Sequence, residues 1–268
     1  MLVIALAIAI SCYIAAAGLA AAPFARPIAA PVRSVVSLLG AGVAIHLVAL
    51  LAYTWQYGEP PLTGLGPALS SAAFLVALTL LAVEALAHEV SLTLVTAPLA
   101  ALVTIGALTS GIVPGTAAKT DGGFWLHLHV AVSLLGFAAF AAAAASGVMY
   151  LLERRELKSR RFGAIFRFFP PLETLDRVNH LAIVCGWLAL TLGTALAIGY
   201  SIVYRDADHL KVIWGITAWV AVTALTVGRV VGGWQAARAA ILSSVFFVAV
   251  IALYVAFRAV GPRAGEFL

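Results

Sequence analysis

Apolar residues in this chain run together in blocks of about 20, separated by short polar breaks, and each block is long enough to cross a ~30 Å hydrocarbon layer. Breaking the chain at its proline, glycine and charged clusters gives spans near 1–22, 33–57, 67–88, 90–110, 124–152, 178–203, 211–232 and 235–260. Pro23, Pro27 and Pro31 follow the first span, Pro60 and Pro61 the second, and the stretch from Pro114 to Gly123 precedes the fifth. The third-to-fourth break rests only on His88 and Glu89. The pattern predicts an all-α, polytopic membrane protein, a bundle of about eight transmembrane helices forming one domain over residues 1–268. The first 22 residues are expected to stay as a helix, because no basic residue precedes their apolar run as a signal peptide requires.

Composition agrees: 63% of the residues are hydrophobic and 10% charged, against roughly 25% charged in a soluble domain. The net charge of +5 does not point to nucleic acid, since the basic residues sit in short loops beside apolar runs, where they set orientation. Loops after the first, third, fifth and seventh spans, with adjoining helix ends, carry eleven of the lysines and arginines and the opposite side five. By the positive-inside rule both termini are expected outside, in a bacterial cytoplasmic (inner) membrane. The largest loop, Glu153 to Asn179, is then cytoplasmic. Its basic residues and its Phe162, Phe166, Phe168 and Phe169 suit either a solvated loop or an amphipathic stretch on anionic lipids. The run from Ala138 to Ala145 reads as a smooth helix face for close packing. Cys12 and Cys185 fall inside apolar runs, form no Cys-x-x-Cys motif, and read as small core residues.

Polar side chains inside lipid are costly, so the few present are the candidates for function. They are His46 in the second span, Glu84 and His88 near the end of the third, His127 and His129 opening the fifth, and His180 opening the sixth. At 1.5 Å per residue His46 lies roughly 20 Å from the cytoplasmic side and His129 roughly 8 Å below the outer surface, so the two can share a level. His127 and His129 stand about 200° apart on a helix and cannot both face one site. His129 shares its face with the small residues Ser133 and Gly136 and is the better ligand. His180 belongs to the other leaflet, where it either serves a second site or pairs with Asp176. Glu84 and His88 are spaced to pair, as a relay or as two side chains snorkelling to the interface. His209 reads as solvated. Two imidazoles facing across a bundle suit haem iron. Zinc or copper would find His46 and His129 but no carboxylate or thiolate to complete a site. Packed polar histidines without a ligand remain the structural alternative.

The run Trp125-Leu-His-Leu-His129-Val-Ala-Val-Ser133, ending in Leu-Leu-Glu-Arg-Arg, resembles a helix of the CcsA/HemX/YpjD cytochrome c assembly superfamily. So do the segment Pro170 to Asp176 and the pair Gly233-Trp234. His129 matches the family's histidine, and His46 matches one frequent in the HemX/YpjD branch. The tryptophan-rich loop of the haem-delivering members is absent, and the later helix that supplies them another histidine carries Arg229 here. The resemblance implies a membrane protein that holds, relays or senses haem b, with His46, His129 and His180 as cofactor-binding residues. It would be a haem chaperone or transporter rather than a catalyst, with haem, membrane lipids and another membrane protein as partners. The competing reading is a regulatory or structural subunit, a partner of a divalent-metal efflux system. A proton-coupled transporter is disfavoured by the lack of a deep carboxylate array.

Overall fold

A computed structural model of the protein describes residues 1–25, 31–87, 92–115, 123–160, 168–204 and 209–260. Among these, eight helices follow one another: α1 (Leu2–Ala25), α2 (Val32–Tyr57), α3 (Leu65–Ala87), α4 (Thr93–Ser110), α5 (Gly123–Ser159), α6 (Leu172–Tyr204), α7 (His209–Val230) and α8 (Ala236–Val260). No strand occurs among the described residues. All eight are long and apolar enough to cross a membrane. Large apolar side chains such as Leu47, Leu51, Leu188, Ile202 and Val248 point outward, which is the arrangement expected where lipid rather than water surrounds the bundle.

The sequence-based spans recover each helix, with two differences in length. Helix α5 continues seven residues past the expected end, through Glu153 to Ser159, and α6 begins at Leu172 instead of 178. Both extensions are polar. Hydropathy marks where lipid contact ends, whereas Leu, Glu, Arg and Lys remain good helix formers in water. At 37 and 33 residues these helices measure about 55 and 50 Å, well beyond the hydrocarbon layer.

The helices pack as two groups around α5. In the first, α1 lies against α2 and α4, and α3 against α2 and α4. In the second, α6, α7 and α8 contact one another, and α5 lies against α6 and α8. Helix α5 also touches α3 and α4, so it belongs to both groups. Its alanines explain how. Ala138 to Ala145, with Ser146 and Gly147, are all buried, so they form a slim cylinder enclosed on every side and not the single smooth face expected. Gly147 sits where a Cβ would strike the Ala240 carbonyl of α8.

One polar clamp holds the second group. Asn179 on α6, 1% exposed, donates through Nδ2 to the Ala143 carbonyl on α5 (2.7 Å) and to Ser243 Oγ on α8 (2.9 Å). The Glu153–Asn179 connection departs from both expectations at two positions. Phe168 packs edge-on against Phe24 with centroids 5.1 Å apart, and Phe169 packs on the core of the first group, so both plug the bundle. Phe162 and Phe166 lie outside the described residues. Cys12 is half-buried and Cys185 is exposed on the outer surface of α6, which corrects the expectation of a core position for the latter.

Candidate functional site

His46 is fully buried on the inner face of α2, with Val43 and Ala49 on either side. Its Nδ1 is 3.1 Å from Tyr13 Oη on α1, and its Nε2 is 3.0 Å from Ser70 Oγ on α3. Phe74 covers the ring edge-on at 5.8 Å. Gly42, one turn earlier, gives room to the Tyr13 ring, which a Cβ there would meet at 2.7 Å. Both imidazole nitrogens are therefore spoken for, and three helices are tied through one side chain. A hydroxyl both donates and accepts, so either tautomer of the ring is served.

His129 is different. It is half-buried on α5, and its Nδ1 lies 2.8 Å from the Gly193 carbonyl of α6. A carbonyl only accepts, so in the neutral ring Nδ1 carries the proton and Nε2 keeps its lone pair. No partner for Nε2 occurs among the described residues. An imidazole anchored through Nδ1–H to a backbone carbonyl is the arrangement by which proteins orient a metal-ligating histidine.

No described hydrogen bond or ring contact joins His46 to His129. The first is held by α1 and α3, the second by α6. His127, as expected from its angle, does not share His129's contact with Gly193, and its Nε2 is buried without a hydrogen-bond partner among the described residues. His180 does not pair with Asp176: that carboxylate takes Arg229 of α7 at 2.5 Å, and His180 Nδ1 is buried without a hydrogen-bond partner among the described residues. Arg229 also donates to the Trp234 carbonyl at 2.7 Å, closing the α7–α8 turn onto α6. Trp234 in turn lies over Gly228 and under the Arg238 guanidinium, 4.1 Å from its ring centroid.

Glu84 is enclosed in the bundle and does not snorkel. It is 1% exposed, and its carboxylate accepts from the Thr93 backbone N–H (2.6 Å) and Thr93 Oγ1 (2.5 Å), capping the start of α4. The expected pairing with His88 lies outside the described residues, as does the side chain of His209. No group of three or more His, Cys, Asp or Glu side chains suited to a metal ion gathers among the described residues. Sequence reasoning did not single out Tyr13, Ser70, Gly193 or Asn179. Gly193 follows Gly186 by seven residues, two helical turns, and that pair of glycines on one face was the available signal.

The fold and these contacts define a multi-pass helical membrane protein whose polar interior is sparse. The family model described as "Cytochrome C assembly protein" matches residues 3–262, and the chain belongs to that family. It is 30% identical over 155 residues to an "Uncharacterized 28.8 kDa protein in nifR3-like 5'region" of Azospirillum brasilense, a match covering 53% of this chain and 56% of that protein. The chain thus spans little more than half the length of that relative. No solved structure matches the chain.

Proposed function

We propose that this protein binds haem b within the membrane and handles it in the service of cytochrome c assembly, with His129 Nε2 as the iron ligand. The family supplies the haem-related role, and the bond from Nδ1 to the Gly193 carbonyl supplies the residue. That bond fixes the ring's rotation and leaves a lone pair for iron. Bound there, haem supplies an iron that takes an imidazole ligand and changes oxidation state. The residues fit one ligand position as they stand. His46 enters as a second ligand only by giving up its bond to Ser70 or its bond to Tyr13. Ser133 and Gly136 let α6 lie close against the face of α5 that carries His129, which brings the Gly193 carbonyl to the ring.

The lysine and arginine bias supports an orientation with both termini outside and the α5–α6 connection in the cytoplasm of a bacterial inner membrane. In a background lacking Cys12 and Cys185, an impermeant thiol reagent added from outside should modify Lys119→Cys and spare Arg160→Cys. The reverse pattern would invert the orientation.

The purified protein titrated with haemin should develop a Soret band that shifts on reduction. Colourless protein that takes up no haemin would sink the haem reading.

A further inference from the structure

The contact between α5 and α6 is built where side chains are missing. A Cβ added to Gly136 would meet Leu190 at 2.7 Å, one added to Gly186 would meet the Phe140 ring at 2.6 Å, and one added to Gly193 would stand 2.5 Å from Ser133 Oγ. On α5 the residues His129, Ser133, Gly136 and Phe140 follow four-, three- and four-residue steps, and on α6 Gly186, Leu190 and Gly193 follow four and three. Each set therefore forms one stripe, and the two stripes meet in opposite chain directions. Gly193 is the last rung of this ladder, and its carbonyl is the one that receives His129 Nδ1–H.

We infer that Gly193 is the positioning residue of His129: its lack of a side chain brings the α6 backbone close enough for its carbonyl to fix the imidazole as the Nδ1–H tautomer, leaving Nε2 as the ligating nitrogen. An ordinary side chain at 193 would push α6 away from Ser133 and lengthen the 2.8 Å bond. Released from the carbonyl, the ring would be free to rotate and to exchange tautomers. The iron part of this inference rests on the function proposed above; the tautomer does not.

The experiment is nitrogen-15 NMR of histidine-labelled, haem-free protein in detergent, with the His129 signal assigned by its loss in His129→Gln. Wild type should show the Nδ1–H tautomer, and Gly193→Val should convert it to a mixture or to Nε2–H while helical content stays unchanged. Gly193→Ala keeps the test available if the valine variant does not fold. Its effect should be smaller, because Ser133 Oγ can rotate aside. Adding Ser133→Ala to Gly193→Ala should restore the wild-type signal, since the next nearest atoms of residue 133 stand at 3.5 Å. With haem added, Gly193→Val should weaken binding about 10–100-fold, the usual cost of losing a ligand's outer partner. A wild-type His129 in the Nε2–H form, or a tautomer indifferent to both substitutions at 193, overturns the inference whatever the haem result. The Nδ1–H form in a protein that binds no haem would instead overturn the proposed function and leave the positioning role standing.

Discussion

The two membrane-embedded histidines that look alike in sequence live in opposite chemical conditions. His46 is sealed, with Tyr13 on one nitrogen, Ser70 on the other and Phe74 over the ring edge. His129 is half-exposed and satisfied on one side only, by a carbonyl that dictates where its proton sits. The cost of burying an imidazole in lipid can be met entirely by other side chains, in which case the residue is a structural node. It can also be met in part, and the unmet part is a binding capacity. Burial and depth do not tell these cases apart; the inventory of donors and acceptors does.

The largest effect should come from His129→Ala, which removes the available lone pair and should abolish the six-coordinate or five-coordinate haem spectrum. Retention of the wild-type spectrum would end the contrast between the two sites. His46→Ala should act on stability. It strands two buried hydroxyls and opens a cavity, at about 2–4 kcal/mol, with haem per folded protein near the wild-type value. Loss of haem from His46→Ala protein of undiminished thermal stability would show that both residues are ligands and that one of the two hydroxyl bonds of His46 breaks on binding. Ser70→Ala should cost about 1 kcal/mol, read as a small drop in melting temperature, and leave haem content unchanged. His127→Ala should be the mildest in haem titration, because that ring does not share His129's contact with α6.

The helices were legible because lipid imposes a simple rule on sequence: blocks of apolar residues of fixed length. Where the rule stops, so did the reading. Glu153 to Ser159 and Leu172 to Arg177 are helical for reasons that hydropathy does not record, and Phe168 and Phe169 were read as loop residues although they close the bundle. At the site, the histidines announced themselves by their rarity. Their partners did not. Tyr13 and Ser70 are ordinary residues in apolar helices, and Gly193 contributes a backbone atom whose only trace in the sequence is the spacing of glycines along α6. A pairing of His180 with Asp176 was one of two expectations, yet the carboxylate went to Arg229, 53 residues on, which only the folded chain brings near.

Helix α4 carries a last consequence. Its first turn carries backbone amides that no preceding turn of the helix can accept. The carboxylate of Glu84 on α3, itself buried, receives the first of them. That bond, with the one from Thr93 Oγ1, ties α3 to the start of α4. Insertion of α4 should therefore depend on α3: Glu84→Ala should leave a fraction of chains with α4 uninserted, read by protease protection of freshly made protein in membranes.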